Sequence, residues 1–199
     1  MKRTNKRDEL IEVGKKIIAR QGFKAASLND ILTAAGIPKG SFYYYFASKE
    51  DFGLAIVDDF AREYRDRFDN ILGDSQHSPL TRLRNYFESK IADIAERGFT
   101  DGCLIGNLAQ ELSAQNELFR DRLSKVFAEW EHYFQQCLLA ASAAGEISAS
   151  GDRHADLAKF ILSGWEGAIL QAKVTKSVLP MQTFVNILFD RILIKSASG

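Results

Sequence analysis

The chain has 199 residues, of which 46% are hydrophobic and 26% are charged, a composition typical of a globular protein with a sizeable core. It has no apolar run near the roughly 20 residues of a membrane span, and its charged start, MKRTNKRDEL, does not resemble a signal peptide. Its two cysteines and three histidines form no zinc-binding pattern. We therefore expect a cytoplasmic protein with no membrane partner, no metal and no cofactor.

The net charge of zero conceals an uneven distribution of charge along the chain. Residues 1–49 hold ten Lys or Arg and four Asp or Glu, whereas residues 50–199 hold sixteen and twenty-two. A basic N-terminal part on an acidic remainder is typical of a polyanion-binding module joined to a second function.

Helical periodicity extends over nearly the whole sequence, with Pro and Gly at the breaks, and predicts an all-α fold of about nine helices. The spacing of Ser27 and Asp30 resembles a capping box, Gly36 is expected to end the same helix, and Pro38 suits the first turn of the next. Ser48 repeats the cap signal before a long helix. The predicted helices lie at about 8–22, 27–36, 38–46, 48–72, 79–97, 103–115, 116–144, 152–177 and 180–195.

Two short predicted helices within residues 27–46, joined by the turn AGIP, have the spacing of a helix-turn-helix. In that motif the second helix lies in the DNA major groove. Phe42 and Phe46 are four residues apart, so both are predicted to point into the core. Pairs of short helices also occur as plain packing elements of all-α domains, and the basic charge nearby favours DNA binding over that alternative.

The run FYYYF places three consecutive tyrosines between those two phenylalanines. Because each residue advances about 100° around a helix, Tyr43 and Tyr44 are predicted to face outward and Tyr45 to lie on the flank nearer the core. An exposed phenol can donate its hydroxyl to a phosphate. Lys39 can reach guanine or a phosphate, and Gly40 lets the backbone approach DNA closely. Half-buried packing tyrosines are the alternative interpretation of this run.

The stretch SLNDILTAAGIPKGSFYYYFASKEDFGLAIV resembles the N-terminal signature of the TetR family of transcriptional regulators, and the likeness covers about residues 8–57. The resemblance implies a three-helix DNA-binding domain at 1–50 and an all-α effector-binding and dimerisation domain at 51–199. It also implies a homodimeric repressor that a small-molecule inducer releases from double-stranded operator DNA. By position it assigns bases or the groove wall to Asn29, Thr33, Lys39, Ser41, Tyr43 and Tyr45, and phosphates to Ser27, Tyr44 and Lys49.

A recognition helix of two turns covers only a few base pairs of DNA, so sequence-specific binding requires two half-sites and a two-fold dimer. The predicted helix at 152–177 is apolar on almost every face, and the last helix shows the same excess. One side of each helix is therefore expected to pack inward and the other on a partner, the alternative being two central core helices of a monomer. The predicted interface residues are Phe160, Ile161, Gly164, Ala168, Phe184, Leu188 and Ile192.

Cys103 is predicted within the first turn of a helix capped by Thr100 or Asp101, where free N–H groups favour a thiolate. The alternative is a small buried hydrophobic residue. The short motifs GCL at 102–104 and LQAK at 170–173 resemble an electrophile- and oxidant-responsive subgroup of the same family. That resemblance implies a sensing role for Cys103 and an interaction with Lys173. If the inducer is instead a non-covalent ligand, we expect its pocket near Trp165.

The body of the sequence shows no recognisable grouping of acid, base and nucleophile, so an enzyme is not expected. His77, His132 and His154 are predicted to lie on the solvated surface. The leading interpretation is a dimeric DNA-binding regulator. An all-α protein–protein adaptor or small-ligand carrier without DNA binding is the alternative, and salt-dependent DNA binding distinguishes the two.

Overall fold

The computed structural model describes residues 5–148 and 153–194, and these ranges contain helices and no strand. The helices are α1 (Lys6–Gln21), α2 (Leu28–Ala34), α3 (Lys39–Tyr45), α4 (Lys49–Leu72), α5 (Pro79–Glu96), α6 (Leu104–Leu112), α7 (Glu117–Ala143), α8 (Arg153–Thr175) and α9 (Leu179–Ile187). A π-helical turn, Leu188–Ile192, continues α9. The predicted all-α fold is confirmed, and the predicted helix limits at 152 and 195 lie outside the described residues. Within those ranges, no helix is long and apolar enough to cross a bilayer.

The starts of α2, α3 and α4 are capped differently. Ser48 caps α4 as predicted, because its Oγ accepts from the Asp51 N–H at 3.0 Å, and the Asp51 carboxylate accepts from the Ala47 N–H at 3.0 Å. Ser27 precedes α2 with extended backbone, but its side chain makes no capping hydrogen bond, so the predicted capping box is wrong. Pro38 is the N-cap residue of α3 and not part of its first turn, because its ψ of 141° is extended.

The turn between α2 and α3 is fixed by a Schellman-type end of α2. The Ile37 N–H donates to the Leu32 carbonyl at 3.0 Å, and the Gly36 N–H donates to the Thr33 carbonyl at 3.1 Å. Gly36 has a φ of +63°, which glycine adopts without Cβ strain. Ile37 and Leu32 are both buried, so the turn is also anchored in the core. The predicted end of the helix at Gly36 is confirmed.

The chain divides into two compact units. Unit 1 comprises Met1–Glu63 and Cys103–Ser124, and unit 2 comprises Tyr64–Gly102 and Lys125–Gly199. The N-terminal helices therefore share one unit with α6 and the start of α7. The functional boundary expected at residue 50 falls inside unit 1, near the start of α4.

Aromatic side chains fill the N-terminal part of unit 1. Phe42, Phe46 and Phe52 are each at most 2% exposed, and their ring centroids lie 4.9–5.7 Å apart. Helix α1 approaches this cluster closely because Gly14 has no side chain, and a Cβ there would overlap the Phe52 ring. This packing determines which face of α3 turns inward.

Unit 2 has its own aromatic core around Phe87 of α5. The Phe87 ring centroid lies 4.8 Å from that of Trp165 on α8 and 5.8 Å from that of Phe184 on α9. Gly164 lets α8 pack closely on α9, because a Cβ there would lie 2.6 Å from Phe184 Cε2. The close packing at Gly164 is therefore between α8 and α9 of the same chain.

The predicted surface position is wrong for one of the three histidines. His154 is buried in unit 2, with its Nε2 2.7 Å from Ser142 Oγ. The hydrogen bond to the hydroxyl offsets the cost of burying this polar ring. The polar residues around His154 in the sequence gave no indication that it is buried. His77 and His132 are exposed, as predicted.

Candidate nucleic-acid interface

The outward face of α3 carries two adjacent tyrosines. Tyr43 is 63% exposed and Tyr44 is 84% exposed, whereas Phe42 is fully buried. Tyr45 is half-buried, and its ring packs edge-on against that of Tyr44 at 4.9 Å. The orientation predicted from helical periodicity is confirmed. Two large phenols exposed side by side give α3 an aromatic, hydrogen-bonding outer surface.

The other sequence-predicted contact residues surround this surface on α2 and α3. A Cβ at Gly40 would meet nothing within 4 Å, so the chain itself leaves the start of α3 open. Ser27 and Ser41 are half-buried. The remaining predicted side chains on these helices are exposed: Asn29, Thr33 and Lys39.

Lys49 differs from these residues because its ammonium group has partners inside unit 1. Its Nζ donates to the Lys24 carbonyl at 3.3 Å and lies 4.9 Å from the centroid of the Phe23 ring. Burial lowers the pKa of Lys49, and the nearby Glu111 carboxylate partly opposes that shift. These contacts indicate that Lys49 holds the turn after α1, a role that the sequence did not suggest.

Glu111, near the end of α6, binds the same turn through both carboxylate oxygens. Oε2 accepts from the Phe23 N–H and Oε1 accepts from the Lys24 N–H, each at 2.7 Å. Gly22 has a φ of +84°, and a Cβ there would lie 2.9 Å from Glu111 Oε2. Two charge-assisted hydrogen bonds to consecutive N–H groups fix the turn that leads into α2. No local sequence signal reveals this pairing, because the partners are 87 and 88 residues apart.

A hydrophobic contact adds to this attachment. The Phe23 ring centroid lies 5.1 Å from that of Phe119 on α7. Gly53 of α4 makes room for both rings, since a Cβ there would overlap each of them. The Arg122 guanidinium also pairs with the Asp58 carboxylate. The helices carrying the tyrosine surface are therefore held by α6 and α7 within one unit.

Two stretches of the chain match models of one protein family. Residues 10–56 match the bacterial regulatory proteins of the tetR family, and residues 79–188 match the Tetracyclin repressor-like C-terminal domain. The chain belongs to the TetR family. The sequence-based assignment to this family of transcriptional regulators is confirmed.

Individual relatives are similar in sequence or structure to most of this TetR-family chain. It is 36% identical to the HTH-type transcriptional repressor DhaR of Mycobacterium sp. strain GP1, over 97% of this chain and 95% of DhaR. It is 39% identical to the transcriptional regulator AcuR of Cereibacter sphaeroides, over 88% of this chain and 80% of AcuR. The crystal structure of reduced Escherichia coli NemR superposes with a TM-score of 0.89 at 27% identity, covering 98% of this chain and 100% of that one.

The residues predicted at the dimer interface of this TetR-family chain differ in how exposed they are. Phe160 is 51% exposed. Ile161 and Leu188 are instead fully buried within unit 2 and offer no surface to a partner, so this part of the prediction is corrected, and Ala168 is only 7% exposed. Their side chains pack inward because they lie on the stripe of α8, or at the end of α9, that faces the core. The half-buried members of the predicted set are Gly164, Phe184 and Ile192.

A different apolar set is exposed on the same helices. On α8, Gly167 is exposed, and a Cβ there would meet nothing within 4 Å. Exposed apolar residues at this density on two neighbouring helices are typical of a protein–protein contact. The exposed large apolar residues of α8, of α9 and after the π-helical turn are Phe160, Leu170, Val174, Leu179, Ile187 and Ile194.

Cys103 is the N-cap residue of α6 and is buried in unit 1. Its Sγ accepts from the Gly106 N–H at 3.5 Å. The predicted cap at Thr100 or Asp101 is therefore wrong. The extended ψ of 118° at Cys103 starts the helix one residue later, and the Thr100 hydroxyl donates to the Arg97 carbonyl at 2.9 Å.

The other predicted effector residues lie in unit 2. Trp165 is buried in the aromatic core and Lys173 is half-buried on α8. Two cavities of this unit are lined by residues of α4, α5, α7 and α9 and the loop after α4, and Trp165 lines neither. Cys137, the second cysteine, donates to the Pro79 carbonyl at 3.1 Å, and burial raises the pKa of its thiol to about 11.

Proposed function

We propose that this TetR-family regulator is a repressor that binds double-stranded operator DNA as a homodimer and leaves it in response to a small-molecule, electrophile or oxidant inducer. The observation that carries the proposal is the pair of exposed tyrosines on α3 beside a fully buried Phe42. The names of DhaR and NemR, both repressors, support the direction of regulation. We assign DNA binding to residues 1–50, effector binding and dimerisation to 51–199, a cytoplasmic location, and no catalytic activity or cofactor.

In this proposal α3 lies in the major groove. Lys39, Ser41 and Tyr43 face bases or the groove wall, since they line the start and the outer side of α3. Tyr44 and Ser27 contact phosphates, and Asn29 and Thr33 of α2 face bases or the groove wall. Tyr45 has less surface for a base contact than Tyr43. The partners of Lys49 favour a supporting role for it over a direct phosphate contact.

The direct test is a mobility shift with DNA taken from immediately upstream of the regulator's own gene. Because binding neutralises phosphates and releases counterions, we expect the apparent affinity to fall by about a thousandfold between about 50 mM and about 200 mM salt. Unrelated DNA of the same length is the control for specificity. An adaptor or carrier without DNA binding would give no shift at either salt concentration.

Helix α6 offers a physical route from an inducer to the DNA-binding helices. Cys103 starts α6, and Glu111 near its other end holds the turn at Phe23 and Lys24. A displacement of α6 would therefore move the carboxylate away from two backbone N–H groups that lead into α2.

We expect N-ethylmaleimide to modify Cys103 faster than Cys137 at neutral pH. With a pKa of about 11, the Cys137 thiol is almost entirely protonated there, and the thiolate is the reactive form. Mass spectrometry of each cysteine over time measures the two rates. If Cys103 is the sensing residue, alkylation weakens operator binding in the wild type and leaves a Cys103→Ser variant unaffected.

An unchanged operator affinity after complete alkylation of Cys103 would make this thiol a packing residue. The inducer would then be a non-covalent ligand.

A further inference from the structure

The first turn of α1 places an arginine against the end of α3. The guanidinium carbon of Arg7 lies 5.0 Å from the centroid of the Phe46 ring, in a cation–π contact. Phe46 ends α3, because its N–H donates to the Phe42 carbonyl at 3.0 Å and its backbone is extended. The Arg7 N–H donates to Asn5 Oδ1 at 3.2 Å, which fixes the start of α1. Both ends of the Arg7 residue are therefore held within unit 1, beside the last turn of α3.

The positive charge of Arg7 is not neutralised by a described acidic side chain. The Glu9 carboxylate on the same turn binds the Lys6 ammonium instead, at 2.6 Å. Within the described part of the chain, the Arg7 side chain forms no ion pair and no hydrogen bond. A guanidinium has five N–H donors, and its contact with a ring face uses none of them. None of these nitrogens is among the buried unpaired donors of the described residues, so an external acceptor can reach them.

The surface around α3 has few other cations that could meet the DNA backbone. Residues 27–49 contain two basic residues, Lys39 at the start of α3 and Lys49 after its end. The Lys49 ammonium already has partners inside unit 1. Arg7 therefore supplies an unpaired positive charge at the end of α3, and Lys39 supplies one at the start.

The length of α3 is close to the width of the groove that it would occupy. The helix has seven residues, which makes it roughly 10 Å long. The major groove of B-DNA is about 12 Å wide. A helix of this length in the groove brings side chains just beyond its two ends close to the phosphates of the groove walls. Contacts with phosphates fix the register and orientation of a protein on the duplex and carry no sequence information.

We propose that Arg7 is a phosphate-binding residue of the operator complex, held in position by the Phe46 ring. A guanidinium can donate to two oxygens of one phosphate, and a side chain already held on a ring loses less conformational freedom on binding. The inference rests on the proposed function, because it requires α3 in the major groove. It adds a contact from α1, outside the helix-turn-helix itself.

Operator titrations of the full-length protein at several salt concentrations test the proposal. Arg7→Gln removes the charge and keeps an apolar stem over Phe46, so operator affinity should fall at least about tenfold at about 100 mM salt. A dimer loses two phosphate contacts in this variant, and the slope of log affinity against log salt concentration should become shallower by about 2.

Lys16→Gln is the matched control, since it removes the same charge from the same helix. Lys16 is exposed, and residues 7 and 16 lie about 180° apart around the axis of α1. We expect this variant to keep the wild-type salt slope and to change operator affinity by no more than about twofold.

The outcomes separate this inference from the proposed function. Arg7→Gln should weaken binding to unrelated DNA by the same factor, because a phosphate contact is independent of sequence. A loss confined to the operator would show that Arg7 reads a base and would overturn the phosphate assignment. Equal slopes for Arg7→Gln and Lys16→Gln, with normal wild-type binding, would overturn the inference alone. A wild type that binds no DNA would overturn the proposed function as well.

Ethylation interference locates the contact on the DNA. Ethylation of one phosphate in each half-site should weaken binding by the wild type and have no effect on Arg7→Gln, whereas Arg7→Lys keeps the charge and should retain the interference. Thermal melting shows whether each variant is folded. Arg7→Met, whose side chain also packs on an aromatic ring, replaces Arg7→Gln if that variant is unstable. The same interference pattern in the wild type and in a folded uncharged variant would contradict the proposal.

Discussion

Phe42→Ala is expected to lower the free energy of unfolding by about 3–5 kcal/mol. Phe42 is fully buried, and its ring packs against Phe46 and Phe52 with centroids 5.5 and 5.7 Å away. Truncation removes the transfer free energy of the ring and leaves a cavity between α3 and α4 that these rigid neighbours cannot fill. Urea unfolding followed by circular dichroism measures the change.

Tyr44→Ala is the matched control on the same helix. Tyr44 is 84% exposed, so we expect the free energy of unfolding to change by no more than about 0.5 kcal/mol. Operator affinity should nevertheless fall by about tenfold, the equivalent of one hydrogen bond to a charged phosphate. If Tyr44→Ala lost stability and kept its operator affinity, the assignment of the inner and outer faces of α3 would be wrong.

Charging the exposed apolar face of the last two helices is expected to abolish dimerisation. Phe160 and Ile187 are 51% and 50% exposed in the single chain, so Phe160→Asp and Ile187→Asp should leave the protomer folded. In a dimer that buries more than about 1,000 Å², each variant would place an unpaired charge in an apolar contact. We expect sedimentation equilibrium to show a dimer for the wild type and a monomer for both variants. Operator binding should also be lost, because a monomer contacts only one of the two half-sites.

Asn186→Asp is the control for this experiment, because residue 186 is exposed and adjacent to Ile187 but already polar. Ile161 and Leu188 are unsuitable positions, since both are fully buried in the protomer and a charge there would unfold it. A wild-type monomer at micromolar concentration, or a persistent dimer in both charged variants, would contradict the assigned surface.

Local periodicity was sufficient to predict which side chains of α3 are buried and which are exposed, but it was not sufficient for α8. In α3 the phenylalanines at positions 42 and 46 mark a single inward stripe, so the exposure of Tyr43 and Tyr44 followed from geometry alone. Helix α8 is apolar on almost every face, and its sequence does not distinguish the stripe that meets the core from the stripe left exposed. Ile161 and Phe160 are neighbours with opposite surroundings, and only the packing of α5 and α9 decides between them.

The attachment of the DNA-binding helices could not be predicted either. Glu111 and the N–H groups of Phe23 and Lys24 meet only because α6 packs beside the end of α1. The start of α6 was misplaced by one residue for a related reason, since the backbone of Cys103 is extended where a helical pattern had been expected. Contacts between distant segments and the conformation of a cap residue depend on tertiary packing.

The assignment of α3 as the DNA-reading helix is tested most directly by photo-crosslinking. A benzophenone-bearing amino acid replaces Tyr43, which is 63% exposed, and in a second variant it replaces His132, which is exposed on α7. With operator DNA bound, we predict a covalent protein–DNA product from position 43, located within each half-site, and none from position 132. Crosslinking from position 132 with none from position 43, in variants that both shift the operator, would contradict the account.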